Sequence, residues 1–245
     1  MYRFFVTEEQ IGEKYIRIAG GDVNHIKNVL RMKAGEEILL SDGIKKEYHC
    51  RITELSEEHV DAEIMFVKEE GIELPAKVYL FQGLPKSDKM ELIIQKAVEL
   101  GVYAVIPMAT KRAVVKLDAK KEEKKLGRWQ SIAESAAKQS KRLIIPKVMP
   151  VMSFKEAAAF AADLDLCLLP YELAENMAYT REIFSEVRPG MSVAVFIGPE
   201  GGFSTEEVEL ALSKGMKSIT LGKRILRTET AGMTVLSILM YLLEP

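Results

Sequence analysis

The sequence predicts an α/β protein in which a small β barrel precedes a parallel sheet covered by helices. Three observations lead to this fold class. Short strand-like runs separated by Gly and Asp-Gly turns fill the first part of the chain. From residue 77 onward, apolar strands alternate with amphipathic helices, as is typical of parallel sheets. Near the carboxyl end, two successive strands each run into a glycine-containing loop, which is how such sheets bind ligands.

The barrel is expected over residues 1–70. It should contain one helix near residues 22–30 and strands at residues 2–6, 15–18, 37–40, 47–55 and 60–66. The polar residues 71–76 are typical of a linker. Residues 77–245 then form the α/β domain.

The first helix of this second domain should run from Ser87 to Leu100. Its apolar residues recur at the spacing of one helix face, so that face is expected to pack on the sheet. Gly101 ends the helix. Farther along the chain, the unbroken apolar run from Val193 to Ile197 predicts a fully buried strand.

The segment Gly198–Ser204 follows that strand with the sequence Gly-Pro-Glu-Gly-Gly-Phe-Ser. Its three glycines permit left-handed backbone angles and let a ligand contact bare main chain, while Pro199 stiffens the turn. Ser204 and Glu207 form a capping box, so a helix should start there. The segment predicts a binding loop, although a tight turn without a ligand would use the same residues.

The same pattern recurs one helix length later. Ser218–Leu221 is expected to be a strand, Gly222 interrupts it, and Lys223–Arg227 forms a loop with two apolar residues among three cations. The helix expected from about residue 228 or 230 to residue 243 is almost entirely apolar and too short to cross a bilayer. A helix that is apolar on every side must be buried all round, which favours a subunit interface.

The two loop segments, Gly198–Ser204 and Leu221–Ala231, resemble the signature motifs of SPOUT methyltransferases of the RsmE type. The similarity covers nearly the whole chain and includes His25–Arg31, Gln95–Val102, Lys111–Arg112, Arg128–Gln130 and Gln139–Arg142. Lys138 is a departure, because related sequences often carry glutamate there. The resemblance implies a PUA-like barrel followed by an α/β trefoil knot, in which the carboxyl end of the chain threads through a loop.

Enzymes of that family methylate N3 of one uridine in 16S ribosomal RNA. The resemblance therefore implies a cytoplasmic homodimer that acts on 16S ribosomal RNA with S-adenosyl-L-methionine as cofactor. In the family, three loops after successive strands hold this cofactor. The corresponding residues of this chain are Leu169, Ile197, Gly198, Pro199, Glu200, Gly201, Gly202, Leu221, Gly222, Ile225, Leu226 and Arg227.

Methyl transfer to N3 of uracil requires alignment of the base and loss of a weakly acidic proton. A carboxylate could accept the proton, and a cation could stabilise the anion that develops. Glu200 and Glu229 are the carboxylates of the two motifs and Arg227 is the cation, so these three are the catalytic candidates. The base stays open, because both carboxylates could instead pair with Arg224 or Arg227 or accept hydrogen bonds from loop amides.

The net charge of −2 conceals a basic segment. Residues 77–147 carry 16 Lys and Arg against 7 Asp and Glu, whereas the parts before and after are acidic. Such a cluster favours salt-dependent contact with RNA phosphates. The lysines of residues 120–125 alternate with glutamates and predict a solvated helix face instead. The RNA-binding candidates are Arg3, Lys27, Arg31, Lys86, Lys89, Arg112, Arg128 and Arg142.

Composition disfavours several other classes of protein. Cys50 and Cys167 lie in apolar runs, so neither a disulfide framework nor a zinc site is expected, and a reducing compartment is favoured. No histidine has an acidic partner at a telling spacing, so no metal is expected. The first residues do not resemble a signal peptide.

Two other functions use some of the same features. A non-catalytic ribosomal-RNA-binding protein would need the barrel and the basic segment but no methyl donor. A phosphate or nucleotide enzyme could use Gly198–Gly202 as an anion loop, but the chain lacks a Walker lysine and a Gly-x-Gly-x-x-Gly fingerprint. Binding of S-adenosylhomocysteine separates both from a methyltransferase.

Overall fold

The structure is a computed structural model that describes residues 1–44, 46–68, 72–174 and 176–244. The chain divides into two compact units. Unit 1 comprises Met1–Glu73 and Ala137–Ile145, and unit 2 comprises Leu74–Ala136 and Pro146–Pro245. Residue 71 of the expected linker lies outside the described residues, as do residues 69 and 70 at the end of the expected barrel. The sequence placed residues 137–145 in the second domain, whereas the structure places them in unit 1.

Unit 1 is built on a five-stranded sheet of order β1-β3-β4-β5-β2. Strands β1 and β3 are parallel and the other neighbours are antiparallel. The strands are β1 (Arg3–Phe5), β2 (Tyr15–Ala19), β3 (Glu37–Ser41), β4 (Glu47–Leu55) and β5 (His59–Lys68). All five lie where the sequence predicted them. The expected helix is a short α-helix, α1 (Gly21–Asn24), that continues as a π-helical turn at His25–Val29.

Alternation along the strands creates the core of unit 1. In β2, Ile16 and Ile18 are fully buried while their neighbours are exposed, because successive side chains of a strand point to opposite faces. Ile38, Ile52 and Val60 of the other strands join the same apolar cluster. One face of the sheet therefore covers the core.

Residues 137–145 are fixed within unit 1 by a buried polar network. Arg142 forms an ion pair with Glu73, and the backbone amide of Leu143 donates a hydrogen bond of 2.8 Å to the same carboxylate. Ser41 donates from its hydroxyl to the Leu143 carbonyl at 2.6 Å. Because Arg142 and Ser41 are both buried, breaking these contacts would leave polar groups without partners, which is costly.

Unit 2 contains a parallel sheet with strand order β12-β10-β11-β6-β7-β8, and the short strand β9 also pairs with β7. Its strands are β6 (Lys77–Gly83), β7 (Ala104–Ala109), β8 (Lys147–Val148), β9 (Met152–Ser153), β10 (Leu166–Pro170), β11 (Ser192–Ile197) and β12 (Lys217–Ile219). Its helices are α2 (Lys89–Glu99), α3 (Ala119–Gln139), α4 (Phe154–Ala161), α5 (Met177–Ser185), α6 (Thr205–Ser213) and α7 (Thr228–Leu243). The predicted alternation of strands and helices is confirmed.

The core of unit 2 lies against the central strands. Val193–Ile197 of β11 is buried at every position, as predicted for a strand covered on both faces. The Phe81 and Phe196 rings of neighbouring strands stack with centroids 4.4 Å apart. The ends of β6 and β11 are thereby held rigidly, and the loops that follow them start from fixed positions.

The last helix is buried on one side only within the single chain. One face of α7 packs inward through Val235, Leu236 and Leu239, but Tyr241 is 81% exposed and Leu242 is 45% exposed. Burial of the remaining face against another subunit, which the sequence favoured, stays a prediction. An apolar surface remains on its outer face.

Candidate active site

Three loops of unit 2 meet at one edge of the parallel sheet. Strands β12, β10 and β11 are adjacent and parallel, so their carboxyl ends lie side by side. A cavity of about 450 Å³ opens there, which we call the glycine cavity. Its walls come from the ends of β10, β11 and β12 and the start of α7, through residues 170–172, 197–203, 220–228 and 231, together with Lys89. Binding sites of open α/β sheets lie at such strand ends.

The loop after β11 is folded as its glycines require. Gly202 adopts φ +66°, a left-handed angle that glycine favours, and its amide donates to the Pro199 carbonyl at 2.9 Å. A Cβ at Gly198 would lie 3.0 Å from the Gly202 Cα, so Gly198 allows the loop to close on itself. Ser204 and Glu207 form the predicted capping box at the start of α6. The main chain of this loop therefore lines the cavity without side chains in the way.

The loop after β12 supplies the opposite wall. Gly222 has φ +108°, so the chain turns there as predicted. Leu221 and Leu226 are half-buried, whereas Ile225 is 86% exposed although it lines the cavity. The loop presents an exposed apolar side chain next to the cavity, where a bound molecule would cover it.

A buried polar link joins the two loops. The Thr228 hydroxyl, at the start of α7, donates to the Gly198 carbonyl at 2.6 Å and accepts a hydrogen bond from Gln82 Nε2 at 2.8 Å. Gln82 is fully buried in β6, and its Oε1 has no hydrogen-bond partner. A Cβ at Gly232 would lie 3.8 Å from that oxygen, so α7 approaches β6 closely. Thr228 thus fixes the glycine loop relative to the last helix.

Two carboxylates of the motifs share one cation. Lys89 Nζ lies 3.0 Å from Glu200 Oε1 and 3.4 Å from Glu229 Oε2. Glu200 also accepts from the Lys86 amide at 3.2 Å. Burial opposes ionisation of Glu200, but the hydrogen bonds from Lys89 and from backbone amides outweigh it and lower its pKa. The Glu200 hydrogen bond raises the pKa of Lys89 in turn, so both groups stay charged near neutral pH.

The catalytic candidates occupy different positions. Arg227 and Glu200 line the glycine cavity, and Arg227 is exposed at the N-cap of α7. Glu229 lies in the first turn of α7, half-buried and outside the cavity wall. Its Oε2 is buried and accepts no hydrogen bond in the structure, although the Lys89 ammonium lies 3.4 Å away. The ion pairs with Arg224 or Arg227 that the sequence left open are not formed by either carboxylate.

The cofactor candidates lie in the cavity wall with one exception. Leu169 is fully buried within β10, packs in the core and is not part of the cavity wall, so its contact with the cofactor stays a prediction. The wall after β10 is formed by Pro170, Tyr171 and Glu172. All the other cofactor candidates line the cavity, namely Ile197, Gly198, Pro199, Glu200, Gly201, Gly202, Leu221, Gly222, Ile225, Leu226 and Arg227.

The RNA-binding candidates of unit 2 surround the same edge of the sheet. Lys86 is exposed, and Lys89 lines the glycine cavity and pairs with Glu200 there. Arg112 is exposed and donates from Nη1 to the Gly201 carbonyl at 3.1 Å. Arg128 is exposed and pairs with Glu91 through a 2.8 Å hydrogen bond.

The RNA-binding candidates of unit 1 differ in burial: Arg3 and Arg142 have buried side chains, Lys27 is half-buried and Arg31 is exposed. Arg3 is paired with Glu47, and Arg142 with Glu73, and both side chains are more than nine-tenths buried. These two have structural roles, and we keep neither in the proposed RNA surface. Lys27 donates to the Ser56 carbonyl at 2.7 Å, and Arg31 is exposed with φ +56°.

Sequence reasoning missed the polar link and the position of Lys89. Gln82 did leave a signal, because it is a polar residue at the end of the apolar strand run that starts at Val78. Nothing near Lys89 distinguishes it from an ordinary surface lysine, since its partners lie more than a hundred residues away in the chain.

The described residues contain neither a cluster of metal-ligating side chains nor a helix that could span a membrane. Within those residues, no cluster of three or more His, Cys, Asp and Glu side chains could hold a metal ion. Over the same ranges, no helix combines the length and apolarity needed to span a bilayer. Burial raises the pKa of the Cys50 thiol to about 12, so it is inert.

The fold and the cavity define a class: an RNA methyltransferase of the SPOUT superfamily, whose α/β knot domain follows a PUA-like sheet. The sequence profile of an RNA methyltransferase domain matches residues 72–240, and that of an RNA methyltransferase PUA domain matches residues 18–65. The chain belongs to the ribosomal RNA small subunit methyltransferase E family. The resemblance of its motifs to the RsmE type is thereby confirmed.

Individual relatives support this assignment. The chain is 41% identical to ribosomal RNA small subunit methyltransferase E of Bacillus subtilis, over 100% of this chain and 98% of the relative. A crystal structure of the corresponding Neisseria gonorrhoeae protein, bound to S-adenosyl methionine, is 32% identical with a TM-score of 0.83, covering 99% of this chain and 98% of that one. A Legionella pneumophila methyltransferase structure in complex with the same cofactor is also 32% identical with a TM-score of 0.83, covering 98% and 97%.

Proposed function

We propose that this protein transfers a methyl group from S-adenosyl-L-methionine to N3 of one uridine in 16S ribosomal RNA, in the cytoplasm. One observation carries the proposal: in a chain of this family, three neighbouring strand ends enclose a cavity lined by bare main chain. The name of the Bacillus subtilis relative supports a small-subunit ribosomal RNA substrate. The cofactor in two solved relatives supports S-adenosylmethionine.

The chemistry of the walls of the glycine cavity suits this cofactor. Gly198, Gly201 and Gly202 line the cavity, and because they carry no side chain, a bound molecule can approach the main chain there. Leu221, Ile225 and Leu226 supply apolar surface for an adenine ring, and Glu172 and Glu200 supply negative charge near a sulfonium cation. When bound, the cofactor supplies an activated methyl group.

The remaining chemistry belongs to the protein. Arg227 lines the cavity and stabilises negative charge on a uracil carbonyl oxygen as N3 loses its proton. Lys89 pairs with both carboxylates, and Glu200 also accepts hydrogen bonds from Lys89 and the Lys86 amide, whereas Glu229 Oε2 accepts none. We therefore assign proton acceptance to Glu229.

The test is methylation of an unmodified 16S ribosomal RNA transcript with methyl-labelled cofactor, followed by nuclease digestion and mass spectrometry. The expected product is 3-methyluridine at a single position. Methylation of another atom would overturn the assignment of N3. Binding of the transcript without methylation would support the non-catalytic alternative.

Four variants assign the roles in the same assay. Arg227→Ala should reduce the single-turnover rate about a hundredfold or more, with Arg227→Lys less affected, while S-adenosylhomocysteine affinity changes little. Glu229→Gln should lower the single-turnover rate of methylation. If only Glu200→Gln lowers it, Glu200 and not Glu229 is the proton acceptor.

The proposed RNA surface of unit 2 consists of the exposed cations Lys86, Arg112 and Arg128. In unit 1, contact with the RNA is assigned to the exposed Arg31 and the half-buried Lys27. Because phosphate contacts release counterions, binding should weaken steeply with salt.

We also assign a homodimer to the exposed apolar face of α2 and α7. These helices pack on each other, and Leu92, Tyr241 and Leu242 are 43%, 81% and 45% exposed. Exposed apolar patches of this kind mark interaction sites. In analytical ultracentrifugation, the wild type should be a dimer and Tyr241→Arg a monomer. Tyr15→Arg, which changes a tyrosine of unit 1 that is 51% exposed, is the matched control and should remain a dimer.

A further inference from the structure

A second cavity opens at the same edge of the unit 2 sheet, beside the glycine cavity. It has a volume of about 490 Å³ and lies where β6 and β7 end, bounded by the loop that leads to α3. We call it the threonine cavity. About half of its wall is apolar, formed by residues that include Leu84, Val115, Leu117 and Val151. None of these residues belongs to the motifs of the glycine cavity.

Thr110 gives the threonine cavity its polar group. This residue is 8% exposed and lines the cavity, and its hydroxyl is buried without a hydrogen-bond partner. A buried hydroxyl without a partner costs free energy, and over 90% of buried polar groups in proteins avoid that state. The neighbouring Ala113 amide is satisfied by the Thr110 carbonyl at 3.1 Å, so the local turn does not need the hydroxyl. The hydroxyl is therefore available to a bound molecule.

Two cations lie at the threonine cavity. Lys111 and Lys116 line it, and both are exposed. The ammonium of Lys111 pairs with Glu206 at 2.9 Å, which leaves Lys116 as the cation more readily available to a phosphate. Glu122, the acidic residue of the wall, accepts a hydrogen bond from the Val151 amide at 3.0 Å.

The threonine cavity is held in a fixed position relative to the glycine loop. The Lys111 amide donates to Glu207 Oε1 at 2.7 Å, and Arg112 Nη1 donates to the Gly201 carbonyl at 3.1 Å. The segment from Thr110 to Arg112 therefore borders one cavity and contacts the loop of the other. A polymer that places one residue at the methyl donor would bring a neighbouring residue to the threonine cavity.

We propose that the threonine cavity binds an unpaired nucleotide of the RNA substrate that flanks the target uridine; this proposal rests on the proposed function. Apolar walls suit the faces of a base, a hydroxyl can donate to or accept from a base edge, and Lys116 suits the attached phosphate. A target base must leave its stack to reach an active site, so neighbouring nucleotides need a binding site of their own.

The experiment measures equilibrium binding of an unmodified 16S ribosomal RNA transcript without a methyl donor. Thr110→Val keeps the shape of the side chain and removes the hydroxyl, and should weaken binding about three- to tenfold; Thr110→Ser should bind like the wild type. Thermal unfolding and S-adenosylhomocysteine affinity should not fall in either variant, because the hydroxyl makes no bond within the protein. Equal transcript affinity for Thr110→Val and the wild type would overturn the proposal.

Removal of the Lys116 charge provides a second test of the proposal. Lys116→Gln should lower the slope of log affinity against log salt by about one, whereas Lys120→Gln, four residues away and outside the cavity, should change it less. Equal slopes for the two variants would overturn the phosphate contact. A wild type that binds the transcript without methylating it refutes the proposed function but not the cavity, whereas a wild type that does not bind it refutes both.

Discussion

The two cavities at the carboxyl edge of the unit 2 sheet are built from different parts of the chain. The glycine cavity is lined in part by bare main chain, at two loops that turn at glycines. The threonine cavity is lined by ordinary side chains of one loop and its neighbours. This difference explains why a sequence motif marks the glycine cavity whereas none marks the threonine cavity. A site made of backbone restricts residue types, whereas a site made of apolar side chains looks like any core.

The largest effect is expected where backbone forms the wall. In Gly198→Ala, the new Cβ would lie 3.0 Å from the Gly202 Cα, so the backbone of the loop must shift by a few tenths of an ångström. We expect S-adenosylhomocysteine affinity, measured by calorimetry, to fall about ten- to a hundredfold. Gly127→Ala is the control, since a Cβ there meets nothing within 4 Å and the helix is unaffected or slightly stabilised. Unchanged affinity in Gly198→Ala would remove the glycine loop from the cofactor site.

The next effect concerns the hydroxyl that positions this loop. Thr228→Val removes the hydrogen bonds to the Gly198 carbonyl and from Gln82, leaving buried groups without partners. We expect a loss of about 1–3 kcal/mol in the free energy of unfolding and a weaker cofactor affinity, both restored in Thr228→Ser. Chemical denaturation and calorimetry measure the two quantities. If stability falls but cofactor affinity does not, Thr228 supports the fold without positioning the loop.

The third prediction uses the charged residues of the glycine cavity. The pKa of Glu200 lies below its ordinary 4.5. The stabilisation of the fold that the ionised carboxylate provides is therefore present above pH 4.5 and is lost as pH falls through the lowered pKa. The pKa of Lys89 lies above its ordinary 10.5. The stabilisation of the fold that the charged ammonium provides is therefore present below pH 10.5 and is lost as pH rises through the raised pKa. Cofactor affinity should therefore not respond to this pair between about pH 5 and pH 10.

Removal of the cation tests this pairing. In Lys89→Met, the acidic midpoint at which S-adenosylhomocysteine binding is lost should move to higher pH, because Glu200 loses the partner that lowers its pKa. Lys96→Met, at a lysine of the same helix that pairs with Glu99, is the control. Identical acidic midpoints in the wild type and Lys89→Met would contradict the pairing.

The smallest effect is expected at the contact between the two cavities. Arg112→Gln removes an exposed hydrogen bond to the Gly201 carbonyl, so cofactor affinity should change less than about twofold. The same change removes a cation of the RNA surface and should lower the salt slope of RNA binding by about one. A large loss of cofactor affinity would show that the wall near Thr110 controls the glycine loop, and the two cavities would then act as one site.

The sequence alone predicted the strands of unit 1, the alternation of strands and helices in unit 2 and the two glycine-containing loops of the glycine cavity. The capping box at Ser204, the buried strand before Gly198 and the turn at Gly222 follow from local rules of backbone geometry and capping, which operate within a few residues. Residues over nearly the whole chain also carried the family resemblance, so fold class and function were accessible before any coordinates.

Only the tertiary structure decided how individual charges are used. Arg142 and Arg112 belong to one basic stretch, yet Arg142 is buried against Glu73 while Arg112 is exposed beside Gly201. Lys89 became part of the cavity because Glu200 approaches it from more than a hundred residues away. The threonine cavity also appears only when distant apolar residues meet. Such outcomes depend on contacts between segments remote in the chain, and local sequence patterns do not encode those contacts.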